Sequence, residues 1–343
     1  MKTTDATEER AIKRGLDFIY RIAHEPDGFN IYGSLSTCCF ALISATSRDA
    51  NLQQLARSRA RKLARRWLHT HPVVPSDATP DLIFEWMMAS YAMSRIGIKD
   101  AERNAQIHSA ASRFSADDLL GFDPATEPPA DDLPYVCDCG IQNKRGRKRC
   151  KQCRQQLEFQ SSYRVWMEAL SNTYVGERCG VKFGAAYADI LKWLPRMRPY
   201  PREGEQDVEF IRDAIYAVTH VVYTLNNYNT YRLRPEWLPK EFAFLKDNVA
   251  GAIERKDPEI LGELMDSLKA FGLRDTHPLI RRSTEFLLES QNEDGSWGDP
   301  DESIRTRCHT TWTAVDGLRK HAWRGYLSSP PRIRRTNRRT TNN

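Results

Sequence analysis

No uninterrupted apolar run in the sequence reaches the ~18 residues that a membrane-spanning helix needs, so no span is expected. The opening residues, Met1-Lys-Thr-Thr-Asp-Ala-Thr-Glu-Glu-Arg10, carry none of the apolar core of a secretory signal. Strand-like alternation of apolar and polar residues is scarce. These absences set the expectation of a cytoplasmic, helical protein. Acidic residues are missing from 319–343, which hold 8 Lys/Arg; with a net charge of +6, the remainder sums to 6 − 8 = −2. The body is therefore nearly neutral. The stretch 328–343, with Arg332-Ile-Arg-Arg-Thr-Asn-Arg-Arg339, has almost nothing to bury and is expected to be a disordered, solvated, basic tail. Contact of that tail with nucleic acid or acidic lipid is the less favoured alternative.

What the chain does have is helical periodicity and 40% hydrophobic residues, enough for a core. Amphipathic segments are expected at 8–23, from 34 onward, and at 52–68, 81–96, 101–114, 163–175, 183–194, 208–225, 235–253, 258–271, 277–291 and 303–322. The basic side of one of them, with Arg57, Arg61, Lys62 and Arg65, reads as a solvated outer face. The segments pair into about six helical hairpins with a repeat of about 50 residues. A hairpin cannot bury both faces alone, so the hairpins must stack. The first and last repeats are alike. Arg14-Gly-Leu-Asp-Phe18 and Arg282-Ser-Thr-Glu-Phe286 lead on to Asp27-Gly28-Phe29 and Asp294-Gly295-Ser-Trp297, respectively. Neither repeat looks like a polar cap, which favours a closed ring over an open solenoid.

The most specific passage is Gln291-Asn-Glu-Asp-Gly-Ser-Trp297 with Cys308-His309-Thr-Thr-Trp312 after it. Gln-x-x-x-Gly-x-Trp resembles the short repeat of squalene and oxidosqualene cyclases. The passage as a whole is similar to the last repeat of protein prenyltransferase β-subunits, where a glycine turn leads into a His-Thr helix start. The resemblance implies an all-α fold, an (α/α)6-type toroid. Residues 1–115 would form its first half, 116–159 an insertion, and 160–327 its second half. It also implies that His309 is a zinc ligand at the toroid axis. Gln291 and the Trp297 ring are expected to tie one helix end to the start of the next, the indole N–H needing a partner. Cys308-His309 is also similar to a pair in lanthionine cyclases, another zinc-bearing toroid, but without the glycines found there. Neighbouring helical residues point ~100° apart, so only one of the two is expected to face the axis. Other family motifs are missing: the Asp-x-Asp-Asp proton donor, the prenyltransferase Asp-x-Cys pair and the Asp-rich magnesium motif. Asp117-Asp118-Leu-Leu-Gly-Phe-Asp123 has the wrong spacing for the last. The resemblance thus supplies a fold and one site residue.

Eight cysteines are present. Four of them, Cys137, Cys139, Cys150 and Cys153, form two close pairs across a loop in the insertion. In a cytosolic chain that pattern points to metal rather than disulfides, with four thiolates on one structural Zn²⁺. In a segment without a core, metal binding supplies most of the folding free energy. The spacing resembles the Ran-binding-protein-2-type zinc finger, with Asn143 at the family's Asn position. It departs in having Cys-x-Cys for the first pair and Tyr135 where a Trp is usual. Some members of that family bind single-stranded RNA and others ubiquitin. Lys144, Arg145, Arg147, Lys148 and Arg149 suit a phosphate backbone, but few aromatics interleave with them. Cys38 and Cys39 read as small core residues.

Inside a ring, axis-facing residues recur at helical spacing. Asp213, Tyr216, His220, Tyr223 and Asn227 form one such stripe, whose mixture of rings and polar groups suits a cavity wall better than a core or a solvent face. Glu85, Glu168, Glu263 and Asp266 are placed at the axis by the same argument. The catalytic candidates are His220, Tyr216, Tyr223, Asn227 and Glu168. His309, His220 and Glu85 are candidates to hold a second divalent metal with an open position, as Lewis acid or activator of a nucleophile. Trp86, Trp166, Tyr216, Tyr223 and Trp312 could wall a cationic intermediate or any apolar substrate. The resulting expectation is a transferase, lyase or isomerase acting on a hydrophobic, isoprenoid- or acyl-like small molecule. The alternative is a non-catalytic module meeting nucleic acid or protein through the zinc insertion and the tail.

Overall fold

The computed structural model describes residues 2–130, 137, 141, 143, 147, 149–155, 161–202 and 204–331, with side chains from Ala6 onward. Tyr135, Cys139, Lys144, Arg145, Lys148 and the 332–343 part of the tail lie outside the described residues. Among the described residues there is no strand; isolated bridges join Ser47 to His321 and Arg232 to Tyr326. The helices are α1 (Lys2–Ile22), α2 (Pro26–Thr46), α3 (Ala50–Thr70), α4 (Pro80–Arg95), α5 (Ala101–Ala111), α6 (Ala116–Leu120) and α7 (Ser162–Cys179). There follow α8 (Tyr187–Leu191), α9 (Val208–Leu225), α10 (Pro239–Asp247), α11 (Val249–Glu254), α12 (Pro258–Ala270), α13 (Pro278–Glu289) and α14 (Ile304–Leu318).

Local chemistry starts most of these helices. Asp49, Thr79, Asp100, Ser115, Ser161, Asp207, Asp257, His277 and Ser303 each accept an otherwise orphaned first-turn N–H, and Pro opens α2, α4, α10, α12 and α13. Six helices form a cycle of contacts: α2 packs on α4, α4 on α7, α7 on α9, α9 on α12, α12 on α14, and α14 on α2. The others lie against members of that cycle: α3 on α2, α5 on α4, α8 on α7, α10 and α11 on α12, α13 on α12 and α14, and α1 on α14. α2 is apolar and long enough to cross a membrane, but its most apolar window is 78% buried by the rest of the protein, which makes it a core helix here. Cys38 and Cys39 are buried in it, as small core residues should be.

Several expected boundaries shift. Residues 24–29 read as a turn, yet Pro26 takes the first helical position and α2 runs on through Gly28 and Gly33. The insertion does not start at 116. A capping box of Ser115 and Asp118 begins α6, whose Leu119 and Leu120, with Phe122, are buried in the main core. The segment 235–253 is divided into a short 3-10 turn (Pro235–Trp237), α10 and α11.

Trp297 ties α13 to α14 as expected, through Leu287 O and Thr311 Oγ1, and the passage reaches further than that tie. Gln291 Nε2 donates to Ala11 O and to Gly295 O, both at 2.9 Å, so it grips α1 as well as its own turn. Arg14 of α1 donates to the carbonyls of Asn292 and Glu293, each at 2.8 Å. The fully buried Trp297 indole donates back to Leu287 O of α13 at 2.7 Å. Gly295, at φ +92, lies so close to α1 that a Cβ would sit 2.6 Å from Arg14 O. The passage therefore fastens the first helix of the chain to the last two.

A second close approach sets up the site. A Cβ on Gly262 of α12 would lie 2.4 Å from Thr313 O, and one on Gly317 of α14 would lie 3.0 Å from Gly262 O. Without side chains at these two positions the backbones of α12 and α14 come close enough for carboxylates on one to reach a histidine on the other.

Candidate functional site

The best-connected polar cluster joins α9, α12 and α14 around Glu259. Asp257 caps α12 and Pro258 opens it, so Glu259 falls in the first turn, where the helix dipole favours a negative charge. His309 Nδ1 lies 2.5 Å from Glu259 Oε1. The Tyr216 hydroxyl donates to the same oxygen, Arg212 donates to Oε2, and Thr310 Oγ1 reaches Oε2 at 3.4 Å. Arg212 also pairs with Asp257. Burial disfavours the Glu259 charge. The charge and hydrogen bond of His309, the Arg212 charge and the Tyr216 hydroxyl outweigh it and hold the carboxyl at about 2. For His309, burial favours the neutral ring, but the bond to Glu259 and the charges of Glu259 and Glu263 carry it above its ordinary value. Each group thus favours the charged form of the other.

One turn along α12, Glu263 is buried and accepts a hydrogen bond from Thr219. Among the described residues no guanidinium pairs with it. Burial lifts it to about 7, with Glu259 and Asp266 adding to the rise against His309 and Thr219. His220 Nδ1 lies 3.9 Å from Glu263 and donates to Tyr216 O at 2.8 Å, so Nε2 is the free acceptor of the neutral ring. Burial, then the charges of His309 and Arg164, push His220 down to about 3 against that carbonyl bond. An imidazole whose charge is favoured and one whose charge is disfavoured thus stand side by side on α14 and α9, next to a carboxyl pushed up to about 7. Environments that split like groups in this way occur at acid–base sites and in structural ion-pair networks alike. Both rings keep accessible surface, 32% for His309 and 18% for His220, while the groups behind them are nearly closed off.

Other expected site residues take different places. Asp213 is held by Ser161 at 2.6 Å and Arg164 at 2.8 Å, on the seam between α7 and α9. Asn227 lies in the turn after α9 at φ +57, where its Oδ1 accepts from the Tyr174 hydroxyl at 2.7 Å. Tyr223 is buried between His220 (5.5 Å between ring centres) and Tyr228 (6.1 Å). Glu168 on α7 and Glu85 on α4 are both raised by burial; Arg164 and then Arg305 oppose the rise in Glu168, and Arg305, the second residue of α14, opposes it in Glu85. Of the adjacent pair, Cys308 is buried and raised to about 12, while His309 keeps the open side. Trp86 meets Trp67 and His71 edge-to-face, and Trp166 donates to Ile190 O. Both serve helix packing, and only Trp312, 6.4 Å from the His309 ring, joins Tyr216 and Tyr223 near the histidines. Glu259 and Arg212 were not foreseen. The signal was present, as Glu259, Glu263 and Asp266 share one face of α12 at i, i+4 and i+7, and Arg212 precedes Tyr216 by one turn.

The expected metal set does not assemble. Among the described residues, the group of three or more ligand atoms within 4.8 Å of one another is Cys137, Cys150 and Cys153. His220, His309 and Glu85 form no such group. A histidine oriented by a carboxylate, as His309 is, would suit a metal, but no second and third ligand join it. The cysteine group could hold a metal ion. Cys137 Sγ and Cys153 Sγ are 3.4 Å apart, Gln152 N–H points at Cys150 Sγ from 3.4 Å, and Asn143 fixes the loop by accepting from Lys151 N at 2.9 Å and donating to Ile141 O at 2.8 Å. Cys139, the fourth expected ligand, lies outside the described residues.

Comparison with protein-family models, with curated proteins and with solved structures found no match.

Proposed function

We propose that the chain is an enzyme of the (α/α)6-toroid type, working by proton transfer at His309 on a hydrophobic small molecule, isoprenoid- or acyl-like. The cycle of contacts from α2 through α14 and back supports the toroid. The observation that carries the chemistry is the Glu259–His309 pair. The carboxylate fixes Nδ1, Arg212 and Tyr216 fix the carboxylate, and Nε2 is left to meet a substrate. Neutral His220, backed by Glu263, supplies the complementary acceptor, and Tyr216, Tyr223 and Trp312 supply an aromatic wall. The cysteine group is read as a structural zinc site that holds the insertion together.

The test is conversion of a panel of prenyl and acyl compounds, followed by mass spectrometry, with wild type, His309→Gln and Glu259→Gln. Turnover by wild type that falls at least ~100-fold in both variants, with helicity unchanged, is the expected result. Full turnover in His309→Gln rejects the assignment. The rival reading, a nucleic-acid-binding module, draws on Arg147, Arg149, Lys151 and Arg154, which are exposed around the cysteine group. It predicts a gel shift with RNA at low salt that is lost when these residues are neutralised.

A further inference from the structure

After α14 the chain crosses the C-terminal ends of α2 and α9 in an extended path. Arg48 N donates to Lys320 O at 2.8 Å, Ala322 N to Thr46 O at 2.7 Å, Arg232 N to Gly325 O at 2.8 Å and Arg324 N to Thr230 O at 2.9 Å. These bonds frame a cleft of about 350 Å³, lined by Arg48, Arg232, His321, Trp323 and Tyr326 among others. Its volume is at the lower end of the ~300–1,000 Å³ typical of small-molecule sites. It lies beyond the C-terminal ends of α12 and α14, whereas Glu259 and His309 lie toward their N-terminal ends, so it is a separate place.

Its charge is unbalanced. Neither Arg48 nor Arg232 makes an ion pair among the described residues, and the buried Arg232 Nε has no hydrogen-bond partner there. The Arg232 guanidinium sits 5.7 Å from the Trp323 ring centre, and His321 stacks on the same ring at 4.8 Å and 23°. The His321 side chain is 1% exposed, yet its Nδ1 is unpaired, and its Nε2 lies 3.0 Å from Asp266 Oδ1 without hydrogen-bond alignment. Tyr326 presents its ring at the rim, 45% exposed. Cations beside helix C-termini are favoured by the helix dipole alone. That effect explains neither an unpaired buried guanidinium nitrogen, nor an unpaired buried imidazole nitrogen, nor a hollow between them.

We propose that this cleft binds the phosphate group of a small phosphorylated molecule, with Arg48 and Arg232 clamping its oxygens, while His321 and Arg234 lie against the Trp323 and Tyr326 rings and hold the walls in place. Guanidinium suits this task because its planar fork gives paired, charge-assisted bonds to phosphate. The test is titration calorimetry on the full chain with inorganic phosphate and with adenosine monophosphate, beside a short single-stranded RNA. Wild type is expected to bind both small ligands. Arg48→Gln and Arg232→Gln are each expected to weaken them about tenfold or more at unchanged melting temperature. Arg57→Gln, at an exposed position on α3, is expected to bind as wild type. Wild type that takes up neither small ligand at millimolar concentration overturns the proposal, and so do Arg48 and Arg232 variants that bind normally. RNA binding that depends on both arginines, without binding of the small ligands, overturns it in favour of a strand-binding face.

Discussion

Replacing Trp297 tests whether the two ends of the chain are fastened as described. The ring is fully buried, its N–H donates to Leu287 O at 2.7 Å, and its backbone N–H bonds Thr311 Oγ1 at 3.1 Å. It presses on α1 so closely that a Cβ on Gly15 would lie 2.7 Å from its Cζ3 atom. Trp297→Ala removes this packing and leaves a cavity shared by α1, α13 and α14, a change that costs ~3–5 kcal/mol. Trp297→Phe keeps much of the ring and loses the indole donor, which costs about 1–2 kcal/mol. Against a total stability of about 5–15 kcal/mol, the alanine variant loses a large share. Urea unfolding followed by far-ultraviolet circular dichroism reads both changes on one scale. A loss under ~1 kcal/mol for Trp297→Ala, or equal losses in the two variants, refutes the reasoning.

Stability is expected to depend on pH in two windows. Glu263 and Asp266 titrate at about 7 and about 6 in the folded protein, above their unfolded values. The folded state therefore holds more protons between about pH 4.5 and 7, and stability falls as pH rises through that range. Glu263→Gln is expected to remove about 3 kcal/mol of the fall between pH 4.5 and 8, and an unchanged slope in denaturation curves contradicts this. Glu259 has the opposite sign. Held at about 2, it contributes stability that is present above its unfolded value and lost as pH drops toward 2, and Glu259→Gln should flatten the acid limb. Gly262→Val drives a side chain into the Thr313 carbonyl and is expected to cost about 3 kcal/mol or more, with a thermal midpoint equal to wild type as the contrary result. Cys137→Ser should lower the metal content of the purified protein, and an unaltered content by elemental analysis removes the metal reading of the cysteine group.

Much of the helical pattern was legible because each signal was local. α9 begins and ends as its periodicity predicts, at Val208 and Leu225, since Asp207 caps it and a run of left-handed residues from Asn227 to Asn229 stops it. The boundary at Pro26 was misread because the same Pro-Asp-Gly sequence serves a turn or a helix start, and packing around α2 decides. The site was half legible. His220, Tyr216 and His309 stood out as rings and imidazoles at helical spacing, but what makes His309 distinctive is a carboxylate fifty residues away in sequence. Only the Gly262–Gly317 approach brings that carboxylate within reach, and glycines inside helices say nothing of which backbone will touch them. Gln291 was read as a local tie because its motif is local, whereas its bond to Ala11 spans almost the whole chain.

The most direct test is nuclear magnetic resonance of ¹⁵N-labelled histidine in the intact protein, with assignments from His309→Gln and His220→Gln. The account predicts that at neutral pH His309 is a charged imidazolium titrating above the ordinary histidine value of ~6.5, beside a His220 that stays neutral down to about pH 4. Two histidines that both titrate near ~6.5, or a His309 that Glu259→Gln leaves unshifted, would contradict it.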